Sequence, residues 1–188
     1  MIQDFSHVTI SCSDLERSIA FYERIGLVVE RRIGELDADG VARAFDLPRG
    51  HLTVAHLRPA DAAGTMTIDL VQWLDPPPEG AAYARLNNLG LTRLAFRVDN
   101  IDDTVRGLRA AGLAFLSDDV QEFGRGVRSI AFKDPDGTII QLIEGLAEMK
   151  AGSRLATYDA TGEDQMAPKR GWDAVLRHRI DRRGLTSV

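Results

Sequence analysis

An internal repeat constrains this chain more than any other feature. HVTISCSDLERSIAFYERIGL begins at His7 and RLAFRVDNIDDTVRGLRAAGL begins at Arg93, an ungapped offset of 86 residues. Each copy opens on alternation, with Val8, Ile10 and Cys12 matched by Leu94, Phe96 and Val98. A period of two marks a strand with one buried face. Each copy then changes to helical spacing, Leu15, Ile19 and Tyr22 corresponding to Ile101, Val105 and Leu108. Ser13 followed by Glu16 has the pattern of a capping box, and Asp99 is placed to cap the second helix. Gly26 and Gly112 stand where left-handed C-terminal caps are needed.

Strand-like runs follow each helix, around 28–33, 51–57 and 66–73 in the first copy and 113–116, 127–133 and 138–144 in the second. Asp134-Pro135-Asp136-Gly137 lies between two such runs and reads as a hairpin turn. The predicted fold class is α+β: two tandem β-α-β-β-β modules forming a cupped mixed sheet, with a C-terminal extension. The expected boundaries are a first module at 1–74, a connector at 75–90, a second module at 91–146 and the extension at 147–188. The connector begins with the stiff run Asp75-Pro76-Pro77-Pro78. A Gly- and Asp-rich loop at 34–50, with a helical turn at 41–45, lengthens the first module. In the extension, Trp172, Val175, Leu176 and Ile180 have the spacing of a short helix.

The charge pattern excludes some partners. Net charge is −5, with −7 on residues 1–144 and +2 on residues 145–188. An acidic body is no general nucleic-acid binder, so the basic extension reads as docking on that body or on a partner subunit. No run reaches the roughly 20 apolar residues of a membrane span, and no secretory signal is visible at the N-terminus. Cys12 is the single cysteine, which removes intrachain disulfides and Cys-based zinc sites. A cytoplasmic protein without nucleic-acid or membrane partners is expected.

With "SDLERSIAFY" near the start and "DPDGTIIQLIE" closing the second module, residues 5–145 resemble the vicinal oxygen chelate superfamily. That group includes glyoxalase I, methylmalonyl-CoA epimerase, extradiol dioxygenases, fosfomycin-resistance enzymes and bleomycin-binding proteins. The resemblance implies four strand positions around one divalent ion, usually His on the first strand and Glu on the last strand of each module. Those positions here hold His7, Asp69, Arg93 and Gln141.

The residue types decide what that set can bind. His7 and Asp69 suit a first-row divalent ion. Gln141 offers a neutral oxygen, but Arg93 has no lone pair and carries a fixed charge. A cation that close to a divalent ion is repelled by several kcal/mol even at an effective dielectric of about 20. The reading is therefore that no metal or other cofactor is used and that Arg93 takes over the metal's charge role, gripping an anionic oxygen. His7 and Asp69 become the acid/base candidates and Gln141 an orienting partner. Thr9 and Ser11 share the face of His7, Arg97 that of Arg93, and Val71 and Trp73 that of Asp69, so Thr9, Trp73 and Arg97 are candidate substrate contacts. Arg125, in the loop QEFGRGVRS with Glu122 and Arg128 beside it, is another.

The leading function is isomerisation, cyclisation or elimination on a small oxygenated molecule. One alternative is a metal-dependent lyase or dioxygenase, with Fe, Mn, Zn or Ni held by His7, Asp69 and Gln141. Another is a non-catalytic, drug-binding protein. An Arg93–Asp69 ion pair filling the old metal site is the plainest reading of those two residues. His51 and His56, on a strand-like run that could face the cleft, read as structural or exposed, Cys12 as a buried inert thiol, and Arg31-Arg32 as solvated or interfacial. A homodimer is expected, since relatives often complete their cups across two chains.

Overall fold

The computed structural model describes residues 2, 4–60, 66–123 and 126–145. Arg125 and the C-terminal extension, with the helix expected around Trp172, lie outside the described residues. Residues 1–145 form one compact unit.

The first module runs β1 (His7–Ser11), α1 (Leu15–Arg24), β2 (Leu27–Asp37), α2 (Asp39–Ala44), β3 (His51–Pro59) and β4 (Thr67–Asp75). The second runs β5 (Arg93–Arg97), α3 (Ile101–Ala110), β6 (Gln121–Glu122), β7 (Arg128–Lys133) and β8 (Ile139–Glu144). Each builds a four-stranded sheet, ordered β1-β4-β3-β2 and β5-β8-β7-β6. β1 pairs with β4, and β5 with β8, in parallel; the other pairs are antiparallel, so both sheets are mixed. First and last strands of each module are thereby neighbours, with Thr9 opposite Asp69 and Ala95 opposite Gln141.

The alternation places one face of each sheet in a shared core. Ile10, Leu70 and Leu57 of the first sheet, Phe132, Ile140 and Leu142 of the second, and the apolar sides of α1 and α3 form a single buried cluster. α1 joins the modules: the Phe21 ring centroid lies 6.0 Å from that of Phe132, and the buried Tyr22 hydroxyl donates to Asp134 at 3.0 Å. The other oxygen of Asp134 accepts from the backbone N–H groups of Asp136 and Thr138, which shapes the expected hairpin with Gly137 at φ +94°. Gly26 and Gly112 take positive φ after their helices, as the spacing predicts.

The caps sit one residue later than expected. Asp14, not Ser13, caps α1 by accepting from Arg17 N–H at 2.9 Å, and Asn100, not Asp99, caps α3 by accepting from Asp103 N–H at 3.0 Å. Ser13 is engaged elsewhere, its N–H and hydroxyl both donating to Asp136, 123 residues away. The run 113–116 is no strand; Phe115 makes one isolated bridge to Phe132, and the short edge strand is β6 instead.

Two outcomes follow from this packing. Tyr22→Phe removes the donor to a buried carboxylate oxygen and should lower stability by about 1–3 kcal/mol in urea unfolding, with an unchanged m-value. Burial pushes the Cys12 thiol up to about 11, so at pH 8 a disulfide reagent should label folded protein far more slowly than urea-unfolded protein.

Candidate functional site

The face of the first sheet turned away from the shared core carries His7, Thr9 and Ser11 from β1, Thr67, Asp69, Val71 and Trp73 from β4, and Leu52, Val54 and His56 from β3. Asp69 is 7% exposed, so its oxygens need partners. Oδ1 accepts from the Thr67 hydroxyl at 3.1 Å and lies 2.6 Å from Nδ1 of His56, its cross-strand neighbour. Oδ2 lies 3.8 Å from Nε2 of the half-exposed His7, whose Nδ1 is 3.1 Å from the Ser6 hydroxyl. Beyond Asp69 the face becomes apolar: Leu52, Val54 and Val71 pack with Ile33, Trp73 and Val41 of α2. Trp73 donates its indole N–H to Ser11 at 3.3 Å.

The corresponding face of the second sheet is built around Gln141, also 7% exposed. Arg93 Nε donates to Gln141 Oε1 at 2.7 Å, Gln141 Nε2 donates to the Ser129 hydroxyl at 2.7 Å, and that hydroxyl donates to the Leu142 carbonyl at 3.0 Å. The chain of donors has one direction and fixes the Gln141 amide with its oxygen toward Arg93. Small Ala95 and Ala131 flank Gln141, while Arg93 and Lys133 lie in register on either side of Ile139. Arg97 shares this face, which holds no acidic residue on its strands. Among the described residues no carboxylate pairs with Arg93.

The structure groups the four predicted positions in pairs. Asp69 stands with His7 and His56, Arg93 with Gln141 and Ser129, so the expected Arg93–Asp69 ion pair does not form. Each charged group has a nearer partner on its own sheet. A cleft of about 430 Å³ borders both sheets, lined among others by Thr9 and Ser11 of β1, Arg93 of β5 and Tyr83 of the connector. Trp73 and Arg97 lie on the faces assigned to them, and like His7, Asp69, His56 and Gln141 they are outside that lining. Arg128, read as a loop contact, is bound instead to Asp102 and Glu144, and its guanidinium holds the Asp102 carboxyl below the usual range. Arg32 is half-exposed, as read, and pairs with the exposed Glu16.

His56, read as structural or exposed, stands instead against Asp69. Alternation within 51–57 puts it on the Val54 face, but nothing short of the β3–β4 register shows that it meets Asp69.

The donor set does not suit a divalent ion at the family position. Arg93 brings a cation to it, and Gln141's oxygen, its metal-ligating atom, is occupied by that cation. Among the described residues no three His, Cys, Asp or Glu side chains are grouped to hold a metal. In the fallback set His7, Asp69 and Gln141, the Gln141 amide is engaged within the second sheet, its oxygen by Arg93 and its nitrogen by Ser129.

The family model for the Glyoxalase/Bleomycin resistance protein/Dioxygenase superfamily matches residues 4–142. The uncharacterized protein YwkD of Bacillus subtilis (strain 168) is 26% identical over 147 residues, which is 77% of this chain and 98% of that protein. A glyoxalase family protein from Bacillus cereus superimposes with a TM-score of 0.67 at 28% identity, over 77% of this chain and 95% of that one. TnmS3, an antibiotic binding protein from Streptomyces sp. CB03234, shares the fold with a TM-score of 0.51 at 23% identity, over 76% of this chain and 96% of its own. The tandem modules, their parallel first and last strands and the matched span agree: the chain belongs to the glyoxalase/bleomycin resistance/dioxygenase superfamily.

Proposed function

We propose that this protein is an enzyme acting on a small oxygenated anion by isomerisation, cyclisation or elimination, without the family metal. The observation that carries the reading is Arg93 at a metal-ligand position, with Nε fixed on Gln141 and a face around it that holds Arg97 and no carboxylate on its strands. A guanidinium held at one nitrogen keeps its other N–H groups for a carboxylate, phosphate or enolate oxygen. Negative charge building on that oxygen during reaction would be stabilised where a Lewis acid acts in metal-using relatives. His7 and Asp69 supply the proton-handling groups from the first sheet, and the cleft lined by Thr9 and Arg93 borders both sheets beside them.

A second reading, a binding protein that leaves its ligand unchanged, is favoured by the apolar end of the first face. Val71 and Trp73 form a wall there for an aromatic or aliphatic ligand. The same fold in an antibiotic binding protein supports keeping it. We also propose a homodimer, because the stretch between β4 and β5 leaves Tyr83, Leu86, Leu89 and Leu91 exposed, Leu89 at 93%.

Calorimetric titration with small carboxylates, phenolates and inorganic phosphate tests the anion site. Arg93→Gln should weaken binding of the best probe at least tenfold, the loss expected for a charge-assisted pair of about 1.5–3 kcal/mol. Binding that is unchanged would remove Arg93 from the site. Elemental analysis after incubation with excess Fe(II), Mn(II), Zn(II) or Ni(II) and desalting should find only trace metal. One retained equivalent of any of them would replace this reading with a metal-dependent lyase or dioxygenase. Asp69→Asn separates enzyme from binder once a ligand is in hand: turnover falls in the first case, while affinity stays within a few-fold in both. Light scattering should give twice the 20.7 kDa of the chain.

A further inference from the structure

The Asp69 carboxylate uses its two oxygens differently. Oδ1 already accepts the Thr67 hydroxyl proton, so the proton in the 2.6 Å contact with His56 belongs on the imidazole nitrogen Nδ1. A neutral imidazole has one N–H, and fixing it at Nδ1 leaves Nε2 with a bare lone pair. Free histidine favours the opposite tautomer, so the carboxylate imposes this one. His7 lacks such a partner: its Nε2 stands 3.8 Å from Oδ2, beyond hydrogen-bond distance, and its Nδ1 faces only the Ser6 hydroxyl. His51 meets Glu35 at 2.6 Å through Nε2 and is a built-in control with the reverse geometry.

We propose that Asp69 locks His56 in the Nδ1–H tautomer, making Nε2 of His56, rather than His7, the acceptor for a substrate proton. The substrate class is then a small anion that also carries a hydroxyl or an acidic C–H. In the transfer, the proton moves from substrate oxygen or carbon to Nε2 and the bonding pair stays on the substrate atom. Nδ1–H remains on Asp69 Oδ1, where the carboxylate faces the new imidazolium. This inference rests on the anion-binding part of the reading above and, within it, moves the proton-accepting role from His7 to His56. Asp69 is a positioning residue in it, acting through the ring of His56.

Long-range proton–nitrogen correlation on nitrogen-15-labelled full-length protein reads the tautomer directly. The four histidines can be assigned by single His→Gln variants. At a pH where the rings are neutral, His56 should show a protonated Nδ1 and a bare Nε2, and His51 the reverse. His56 found as the Nε2–H tautomer overturns the proposal. Diethyl pyrocarbonate, followed site by site by peptide mass, reads the lone pair's reactivity. Asp69→Asn keeps the shape and removes the charge, and should slow modification of His56 about fivefold while His51 is unchanged. Equal rates at His56 in the two proteins also overturn it. Arg93→Gln should leave the His56 tautomer as it is, so the failure of the anion site and the failure of the dyad are separately visible.

Discussion

The contact of α1 with the second module, Phe21 on Phe132 with the Tyr22–Asp134 hydrogen bond beside it, fixes what each sheet has left for binding. It draws one face of both sheets into a single apolar cluster and so commits the opposite faces to the polar residues. A strand has a period of two, so a slip of one residue in β4 would carry Asp69 into that core and Leu70 out of it. Burying an unpartnered carboxylate among Ile10, Leu57 and Phe132 would cost several kcal/mol, against a whole-domain stability of only about 5–15. The register that places the candidate site is therefore held by the same hydrophobic packing that holds the modules together.

The parts of this arrangement that depend on local pattern were legible in the sequence. Alternation at Val8, Ile10 and Cys12 and the helical spacing at Leu15, Ile19 and Tyr22 return as β1 and α1, and the 86-residue offset returns as β5 and α3. Parity alone put Val71 and Trp73 on the face of Asp69. What was not legible depends on residues far apart in the chain. Ser13 has the side chain of a cap, yet Asp136 of the other module takes both its donors and the cap passes to Asp14. His56 has the right parity, but its meeting with Asp69 is set by the β3–β4 register, which no local pattern reports. The run 113–116 is apolar enough for a strand; only Phe115 finds a bridge, to Phe132.

Membership of the superfamily settles the frame and leaves the chemistry to the site, because folds of this breadth host unrelated reactions and simple binders. Here the site departs from the frame at one position above all. Exchanging a ligand for Arg93 changes the local charge from electron-pair donor to cation, and Gln141 answers by turning its amide oxygen toward it. The Ser129 hydroxyl then accepts from the Gln141 amide and donates to the Leu142 carbonyl, so the Gln141 amide and the Ser129 hydroxyl are both partnered. The arrangement is internally complete with the arginine present. That argues for a site reorganised around the cation, since an arginine merely tolerated there would leave the Gln141 amide unsatisfied.

The two faces also end in opposite ways. The second sheet ends in donors, the N–H groups of Arg93 backed by Gln141, with Arg97 and Lys133 on the same face. The first ends in acceptors, Asp69 and the ring of His56 that it holds. A plain carboxylate satisfies only the donor face, and a plain alcohol is poorly held by it. A ligand that engages both must carry an anionic oxygen at one end and a transferable proton at the other. The apolar wall of Val71 and Trp73 adjoins the acceptor end, so any ring or alkyl group belongs next to the proton and away from the charge. On the proposed reading, electrostatics would order such a ligand between the two faces before any bond changes. That order, more than overall shape, is what would select one oxygenated small molecule from another.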